Sequence, residues 1–305
     1  MYDLTIIGGG PAGVSAGVYA GRKLLKTLFI SPEFGGQSIV SDDIQNWIGT
    51  PHIAGSQLAK DLETHLKTYA GHVVDIKNEY VTTIKKIDGG FSVTTEKGTY
   101  ESKTVLIATG SHRRKLDIPG AKEYDHRGVT YCASCDGPFF TGQDVVVIGG
   151  GNAAFESASQ LLAYAKSVTL LNRTETFRAD ELTVQKLRQH PNFKIITNAL
   201  PVEILGEKLA TGIVYEDQLT KERTTLNTPG IFVEIGALPT TEFAKDVVEL
   251  TPTGYIPVDP RTQQTKTEGI WAAGDCTDGL YHQNNIAAGD AVKALEDIYL
   301  HLKAK

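Results

Sequence analysis

The sequence contains few cysteines, no long apolar run and no excess of positive charge. Three cysteines among 305 residues are too few for a disulfide scaffold, and the odd number leaves one thiol unpaired, which suits a reducing compartment. No stretch approaches the roughly 18 consecutive apolar residues of a membrane span. The N-terminus enters its first apolar run without a basic region or cleavage site, so we expect no signal peptide. These absences predict a cytoplasmic protein with no membrane segment.

The charge balance also restricts the class of partner. A net charge of −6 and an isoelectric point near 5.8 provide no basic field that would attract phosphates, so we expect no nucleic-acid partner. The length and a hydrophobic content of 41% are sufficient for a globular core and favour two domains.

A first glycine-rich turn lies close to the N-terminus. Residues 4–22, LTIIGGGPAGVSAGVYAGR, are typical of an apolar strand, a glycine turn and a helix of small residues. In this spacing Gly8 permits a tight turn, Gly10 lets the backbone approach a pyrophosphate, and Gly13 allows close packing of helix and strand. The diphosphate then lies at the positive end of the helix. One such match is weak evidence, because glycine turns after strands are common.

The pattern occurs a second time, in QDVVVIGGGNAAFESASQLL (143–162), with Gly149, Gly151 and Ala154 at the same spacing. Three more apolar strands end in glycine: TVLIATG (104–110), GIFVEIG (230–236) and EGIWAAGDC (268–276). Asp275, at the end of the last of these, is placed to accept hydrogen bonds from cofactor hydroxyls. Two such turns predict two dinucleotides, a flavin and a nicotinamide.

The order of these segments predicts an α/β fold of two Rossmann-like dinucleotide-binding domains, with the nicotinamide domain inserted into the FAD domain. The strand TLFI (27–30) is followed by Ser31 and Glu33 with no acid directly at its end, which favours FAD over NAD in the first domain. The predicted boundaries are 1–112 for the first part of the FAD domain, 113–242 for the NAD(P)H domain, and 243–305 for the rest of the FAD domain. The crossing stretches, around 110–120 and 237–243, contain Pro, Gly and polar residues, as hinges often do.

Cys132 and Cys135 form a CxxC pair with three interpretations. A zinc site needs two further soft ligands, and neither a second CxxC nor an HxxxH pair is present. A static disulfide across so small a loop constrains the unfolded chain little. A redox dithiol fits best, because the small residues Ala133 and Ser134 let the sulfurs meet and Pro138 keeps any helix here short.

A redox dithiol would be the electron acceptor for the two predicted dinucleotides. A nicotinamide donates a hydride, a disulfide accepts two electrons, and a flavin can mediate between them. Asp136 is either a solvated turn residue or an acid–base group for the adjacent thiol, and the residues alone leave both interpretations open. Because the dithiol belongs to the nicotinamide domain, we expect a rotation between domains during the reaction. We predict no metal site, and Cys276 is interpreted as a buried small residue without chemistry.

Over essentially its whole length the chain resembles the low-molecular-weight thioredoxin reductases. The resemblance rests on GGGPAG (8–13), GGQ (35–37), NWIG (46–49), ATG (108–110), CASCDG (132–137), GGGNAA (149–154), FRA (177–179) and AAGD (272–275). It implies FAD and NADPH as cofactors, a homodimer, and thioredoxin or a thioredoxin-like protein as the partner. It also implies that Cys135 faces the flavin, that Cys132 attacks the disulfide of the partner, and that Asp136 is the acid–base residue.

The candidate cofactor contacts fall mostly in these motifs. Those for FAD are Gly8, Gly10, Pro11, Ala12, Gly13, Ser31, Glu33, Gly36, Gln37, Asn46, Val81, Ala108, Thr109, Gly110, Gly274, Asp275, His282 and Gln283. The resemblance supplies Gln37, Asn46, Thr109, Asp275 and Gln283 as flavin contacts. Those for the nicotinamide nucleotide are Gly149, Gly151, Asn152, Ala153, Arg173 and Arg178.

The sequence departs from the family pattern in the region that would read a 2′-phosphate. The family motif HRRxxFR is NRTETFR (172–178) here, so Arg173 and Arg178 remain while Asn172 and Thr174 replace a histidine and an arginine. One lost charge-assisted contact is worth on the order of 1.5–3 kcal/mol. Glu175 adds a negative charge nearby. The resemblance implies NADPH as the nucleotide, and these replacements together with Glu175 make NADH the alternative.

Two further features bear on the electron path. His282 stands where the family often has an arginine beside the flavin, which could change the flavin potential or stacking. CDGPFF and GIFVEIG also resemble the reductase portion of the alkyl hydroperoxide reductase flavoprotein, which carries a thioredoxin-like region before its flavin turn. Because the turn begins at residue 8 here, we expect electrons to leave to a separate partner.

Other functions compatible with the residues stay open. The same dithiol could be fed by ferredoxin or reduced flavin, or could oxidise small dithiols with oxygen, in an enzyme with a weakened nicotinamide site. A function of another class is a flavin-binding redox sensor, whose CxxC changes shape rather than turning over. An NAD(P)H-dependent thioredoxin-disulfide reductase is favoured by the retained nucleotide residues, which are Gly149, Gly151, Ala154, Arg173 and Arg178.

Overall fold

The chain folds into two units, which a computed structural model describes over residues 1–41 and 43–303. One unit contains Met1–His112 and the segment from Leu238 to the C-terminus, and the other contains Arg113–Ala237. The chain crosses between the units at residues 112–113 and again at residues 237–238, and the assignment of the units as FAD and NAD(P)H domains stays a prediction. A short strand begins at Ala237 and pairs with the strand Ser111–Arg113.

The helices and strands have the following bounds. Up to the first crossing they are β1 (Tyr2–Ile7), α1 (Pro11–Arg22), β2 (Thr27–Ile30), a 3-10 helix (Gly36–Val40), α2 (Gly55–Ala70), β3 (Val74–Lys77), β4 (Val81–Ile87), β5 (Gly90–Thr95), β6 (Thr99–Ile107) and β7 (Ser111–Arg113). Between the crossings they are β8 (Val129–Thr130), α3 (Ala133–Asp136), a 3-10 helix (Gly137–Phe140), β9 (Asp144–Ile148), α4 (Asn152–Leu161), β10 (Ser167–Leu171), α5 (Glu181–Arg188), β11 (Phe193–Ile196), β12 (Ala199–Gly206), β13 (Ala210–Asp217), β14 (Arg223–Asn227) and β15 (Gly230–Val233). From the second crossing onward they are β16 (Ala237–Pro239), a 3-10 helix (Glu242–Ala244), β17 (Ile270–Ala272) and α6 (Asn284–Lys303).

The first unit is built on a seven-stranded sheet in the order β3-β2-β1-β6-β5-β4, with β17 added on β6. Strand β1 pairs in parallel with β2 and β6, and β17 also runs parallel to β6. Leu4 and Ile6 pack among residues of α1, α2 and α6, whereas Ile7 belongs to the core on the opposite face. An apolar run such as LTII is therefore buried on both sides, as expected for a parallel strand.

The second unit repeats this arrangement with a five-stranded parallel sheet in the order β11-β10-β9-β15-β8. Val145 and Val147 pack with α4 and α5, and Val146 and Ile148 pack on the other face among residues of β12 and β13. Strands β12, β13 and β14 form a separate antiparallel sheet. In the first sheet β5 and β4 run antiparallel at one side, while β3, β2, β1, β6 and β17 are parallel. One mainly parallel and one fully parallel sheet, each packed with helices, confirm the predicted fold class.

The third cysteine lies in the core of the first unit. Cys276 is 0% exposed, and its Sγ donates to the carbonyl oxygens of Ala273 at 3.4 Å and Ile107 at 3.5 Å. Burial raises the pKa of this thiol to about 11, which keeps it protonated and unreactive at neutral pH.

Among residues 1–41 and 43–303, no helix has the length and apolar character needed to cross a membrane.

Candidate active site

Cys132 and Cys135 form a disulfide immediately after β8, with an S–S distance of 2.07 Å and a Cα–Cα distance of 5.3 Å. Cys132 is the N-cap of α3, a helix of only four residues, and the N–H of Cys135 donates to Sγ of Cys132 at 3.2 Å. Ser134 places its hydroxyl 3.4 Å from the same sulfur. The N–H of Cys135 therefore favours a thiolate at Cys132 when the bond is reduced.

The disulfide and the second glycine turn share one edge of the sheet of the second unit. Strand β8 runs parallel to β15, and β15 runs parallel to β9. Their carboxyl ends meet at the same edge, so Cys132 after β8 and Gly149 after β9 emerge on the same side. The short helix α3 also packs against α4, the helix that begins at the glycine turn. The sequence predicted both motifs, and the parallel pairing shows that they belong to one sheet edge.

A hydroxyl connects Asp136 to the backbone of Cys132. Thr130, the last residue of β8, donates its hydroxyl proton to Oδ2 of Asp136 and accepts from the N–H of Cys132 at 3.4 Å. The N–H of Asp136 in turn donates to the carbonyl of Cys132 at 3.1 Å. Thr130 was not among the residues predicted from the sequence, and only its position two residues before the CxxC could have suggested it.

Gly149 and Gly151 of the second turn have different surroundings. Gly149 has φ +147°, and a Cβ there would lie 2.3 Å from the carbonyl oxygen of Glu234, so the fold itself requires glycine. A Cβ on Gly151 would meet nothing within 4 Å. This open side of Gly151, at the start of α4, fits the close approach of a pyrophosphate to backbone N–H groups. Asn152 uses its side-chain oxygen to accept from the N–H of Asp180 at 2.8 Å.

The region that follows β10 would surround the adenosine end of a nicotinamide nucleotide. Asn172 is 5% exposed, and its amide donates to the carbonyls of Thr174 at 2.7 Å and Thr176 at 2.9 Å. This asparagine therefore holds the loop together instead of facing a ligand. Arg173 and Arg178 are exposed, and the backbone N–H of Arg178 donates to the carbonyl of Gly150 at 2.8 Å, which anchors it beside the turn.

Glu234 is a buried acid that was not predicted as a site residue from the sequence. It follows β15 at the same sheet edge, with a side chain only 3% exposed that pairs with Arg113 at 3.2 Å and accepts from the Ser157 hydroxyl at 2.7 Å. Burial raises the pKa of this carboxyl, and Arg113 and Ser157 offset part of that rise. The only sequence signal was an acid within the apolar stretch GIFVEIG.

The first glycine turn is packed more tightly than the second. A Cβ on Gly13 would lie 1.8 Å from the carbonyl oxygen of Gly8, and a Cβ on Gly8, where φ is +120°, would lie 2.2 Å from that of Ala108. Gly10 is open, because the nearest atom to a Cβ there is the Cα of Gly36 at 3.8 Å. The space at Gly10 thus fits a second dinucleotide, with Pro11 beginning α1 beside it.

Several other candidate FAD contacts lie around this first turn. A Cβ on Gly274 would be 3.3 Å from the Cβ of Ala12, which places the segment containing Asp275 against the start of α1. The hydroxyl of Ser31 donates to the carbonyl of Glu33 at 2.6 Å, so it supports the loop that packs on Gly9. A Cβ on Gly9 would meet the carbonyl oxygen of Glu33 at 2.1 Å.

Two segments of this unit that are distant in sequence are joined by side-chain hydrogen bonds. The side chain of Asn46 donates to that of Gln283 at 3.1 Å, and the side chain of Asn285 donates to the carbonyl of Asn46 at 2.7 Å and accepts from the N–H of Ile48 at 3.3 Å. Asn285 was not among the candidates. Nε2 of His282 is buried without a hydrogen-bond partner among the described residues, which fits a site that a polar flavin group completes.

The remaining candidates have less distinctive surroundings. Thr109 donates its hydroxyl to the carbonyl of Thr240 at 2.6 Å, and Gly110, with φ +64°, accepts from the N–H of Thr240 at 3.0 Å. Gln37 is exposed on the 3-10 helix, and Val81 begins β4 opposite Thr95. Ala153 lies in the first turn of α4. Their contacts with cofactors stay predictions.

Within the part of the chain that the structure describes, no three His, Cys, Asp or Glu residues are grouped as metal ligands.

The family model for pyridine nucleotide-disulphide oxidoreductases matches residues 2–291. The F component of alkyl hydroperoxide reductase from Pseudomonas putida is 40% identical over 304 residues, which is 99% of this chain and 58% of that protein. The F component from Staphylococcus aureus (strain MRSA252) is 42% identical over 294 residues, covering 96% of this chain and 57% of that protein. The chain thus spans little more than half the length of these relatives.

Solved structures match over the whole chain. The thioredoxin reductase from Streptococcus pyogenes MGAS5005 has a TM-score of 0.92 at 35% identity and covers 100% of this chain and 99% of its own. The thioredoxin reductase from Giardia duodenalis has a TM-score of 0.93 at 33% identity, with the same coverage.

The open face of Gly151 generates a first prediction. Gly151→Ala should raise the Kd of the nicotinamide nucleotide about tenfold or more, a loss of about 1.4 kcal/mol, because a methyl group would occupy the space of the pyrophosphate. The Tm should stay unchanged, because that methyl group meets no protein atom. Calorimetric titration with the oxidised nucleotide measures the Kd.

Gly289→Ala is the matched control. A Cβ there also meets nothing within 4 Å, but Gly289 lies on α6 and not at the second glycine turn. It should leave nucleotide affinity unchanged. Wild-type affinity in Gly151→Ala would show that the turn does not hold the nucleotide.

Proposed function

Because the chain belongs to the pyridine nucleotide-disulphide oxidoreductase family, in its thioredoxin-reductase-like branch, we propose that it is a thioredoxin-disulfide reductase. In this function electrons pass from NAD(P)H through FAD to the Cys132–Cys135 disulfide, and from the dithiol to thioredoxin or a thioredoxin-like protein. The observation that carries the proposal is the disulfide at the same sheet edge as the second glycine turn. A metal site or a purely structural disulfide would not need a nucleotide-binding turn at the same edge of the sheet.

The two glycine turns would hold the two dinucleotides. Gly10 and the start of α1 would receive the FAD pyrophosphate, and Gly151 with the start of α4 would receive that of the nicotinamide nucleotide. FAD supplies a carrier that accepts a hydride and passes two electrons to a disulfide. The family implies an alternation between two arrangements of the units, which stays a prediction here.

The dithiol half of the reaction is a pair of thiol–disulfide exchanges. The Cys132 thiolate attacks one sulfur of the partner disulfide, forming a mixed disulfide and releasing the first partner sulfur as a thiolate. The Cys135 thiolate then attacks Sγ of Cys132, which restores the Cys132–Cys135 bond and releases the second partner sulfur. Two electrons move to the partner, and its two thiolates take up the two protons that the dithiol has lost. Asp136 is proposed to carry one of these protons.

A second candidate acceptor follows from the curated relatives. Identities of 40–42% connect the chain to the F component of alkyl hydroperoxide reductases. Electrons leaving Cys132 would then serve hydroperoxide reduction through a disulfide protein of that system. The test is an assay that contains this protein, NAD(P)H, alkyl hydroperoxide and a peroxide-reducing disulfide protein, but no thioredoxin. Reduction of the hydroperoxide in that assay would favour this acceptor.

NADPH is the nucleotide we propose, with NADH as the alternative. Arg173 and Arg178 are exposed beside the second turn and can contact a 2′-phosphate, whereas the Asn172 amide is committed to its own loop. A homodimer and a cytoplasmic location stay predictions, which rest on the family resemblance and on the cysteine content.

The cysteine pair generates a second prediction. Cys132→Ser and Cys135→Ser should each abolish steady-state reduction of oxidised thioredoxin, while anaerobic reduction of the bound flavin by the nucleotide persists. The matched control is Cys276→Ala, which removes a buried thiol outside the turn and should keep the wild-type rate. Persistent thioredoxin reduction in either serine variant would rule out the proposed path.

The arginines generate a third prediction. Arg173→Ala and Arg178→Ala should each raise the KM for NADPH about tenfold or more, because a charge-assisted contact worth about 1.5–3 kcal/mol is lost. The KM for NADH should stay the same. Arg188→Ala removes the same charge from α5, where the guanidinium lies over the ring of Phe177, and serves as the control. Equal changes for both nucleotides would contradict a role in reading the 2′-phosphate.

A further inference from the structure

We propose that Thr130 is a positioning residue for the thiol chemistry, acting by holding the Asp136 carboxylate in place relative to Cys132. The inference deepens the proposed function and rests on it for the role of Asp136. Its evidence is the hydrogen-bond pattern around one buried hydroxyl.

The direction of both hydrogen bonds at Thr130 follows from chemistry. The N–H of Cys132 can only donate, so the hydroxyl oxygen of Thr130 is the acceptor in that 3.4 Å contact. The single hydroxyl proton is therefore available for Oδ2 of Asp136, the second partner of the hydroxyl. A donated proton suits an ionised carboxylate, which only accepts. One side chain thus joins the backbone of the first cysteine to the carboxylate.

Thr130 is well placed to fix a neighbour. It is 4% exposed and pairs with Phe232 in the parallel register of β8 and β15. Its β-branched side chain has few rotamers, so its hydroxyl keeps one direction. Asp136, in contrast, is the last residue of a four-residue helix, too short to be stable without outside contacts. The strand therefore supplies the rigidity that the helix lacks.

If the Asp136 carboxylate moves out of place, proton transfer to and from the sulfurs should slow. In the exchange between the dithiol and a disulfide, the Cys132 thiol loses a proton before attack, and the departing sulfur gains one. A base or acid must lie within hydrogen-bond reach to assist either transfer. Without the Thr130 hydroxyl the carboxylate can rotate away, so the exchange slows although both cysteines and Asp136 are still present.

The test uses the full-length holoprotein, reduced chemically with excess dithiothreitol and desalted without oxygen. Re-formation of the Cys132–Cys135 disulfide is timed by quenched alkylation, with hydroxyethyl disulfide or dithiodipyridine as the oxidising probe. In each case the probe's S–S bond is cleaved to two thiols as the dithiol is oxidised. The alkyl thiolate needs a proton to leave easily, whereas the aromatic thiolate, with a low pKa, does not.

Thr130→Val should slow the reaction with hydroxyethyl disulfide about tenfold, a part of the 10²–10⁴-fold that acid–base catalysis typically supplies. The reaction with dithiodipyridine should change much less, and Thr130→Ser should restore the wild-type rate with both probes. In an Asp136→Asn background, Thr130→Val should add little, because its partner has already lost its charge.

Thr228→Val is the matched control. Thr228 is a buried threonine of the same unit, 2% exposed, whose hydroxyl donates to the carbonyl of Asp144 at 2.9 Å near the start of β9, at the opposite sheet edge. It should lower the Tm without slowing the exchange. Thr130→Ala provides a second variant without the hydroxyl, and it decides the question if Thr130→Val does not fold.

A wild-type rate in the variants without the hydroxyl, or an equal slowing in the presence and absence of Asp136, would overturn the proposal. The reduced dithiol needs neither nucleotide nor a protein partner in this experiment. Failure of the proposed function would appear instead as an absence of thioredoxin reduction in the wild type, so the two failures are distinguishable.

Discussion

The parallel pairing of β8, β15 and β9 is the constraint on which the chemistry of this chain depends. Because the three strands run in one direction, their carboxyl ends deliver the disulfide, the buried acid Glu234 and the second glycine turn to a single edge. None of these groups is adjacent in sequence to the others. The hydrogen bonds of the sheet therefore act as the frame that places an electron-accepting disulfide on the unit that carries the proposed nicotinamide site.

Glycine has two separate roles at each dinucleotide turn. At Gly8, Gly13 and Gly149 a Cβ would collide with a backbone carbonyl within the same unit, so these positions are required for folding. At Gly10 a Cβ would meet only the Cα of Gly36, at 3.8 Å, and at Gly151 it would meet nothing within 4 Å. Only this second group leaves room for a ligand, and it separates the residues that build the turn from those that would admit a pyrophosphate.

The sequence predicted the parts of the fold and site that depend on local pattern. The glycine spacings, the strand TLFI, which is β2, and the short helix at the CxxC all follow from residues close together in the chain. Contacts between distant residues could not be predicted in this way: the Ser157–Glu234 hydrogen bond spans 77 residues, and that of Asn285 with Asn46 spans 239. Asn172 shows the same limit, because its position suggests a ligand contact while its buried amide holds the loop.

Whether the Cys132–Cys135 disulfide receives electrons from the nicotinamide nucleotide is the central claim, and rapid-quench labelling tests it most directly. The holoprotein is mixed with NADPH or NADH without oxygen, quenched in acid, alkylated, and analysed by mass spectrometry at each cysteine. We expect Cys132 and Cys135 to become labelled at least as fast as steady-state turnover. A flavin that is reduced while the disulfide stays intact on that timescale would contradict the account.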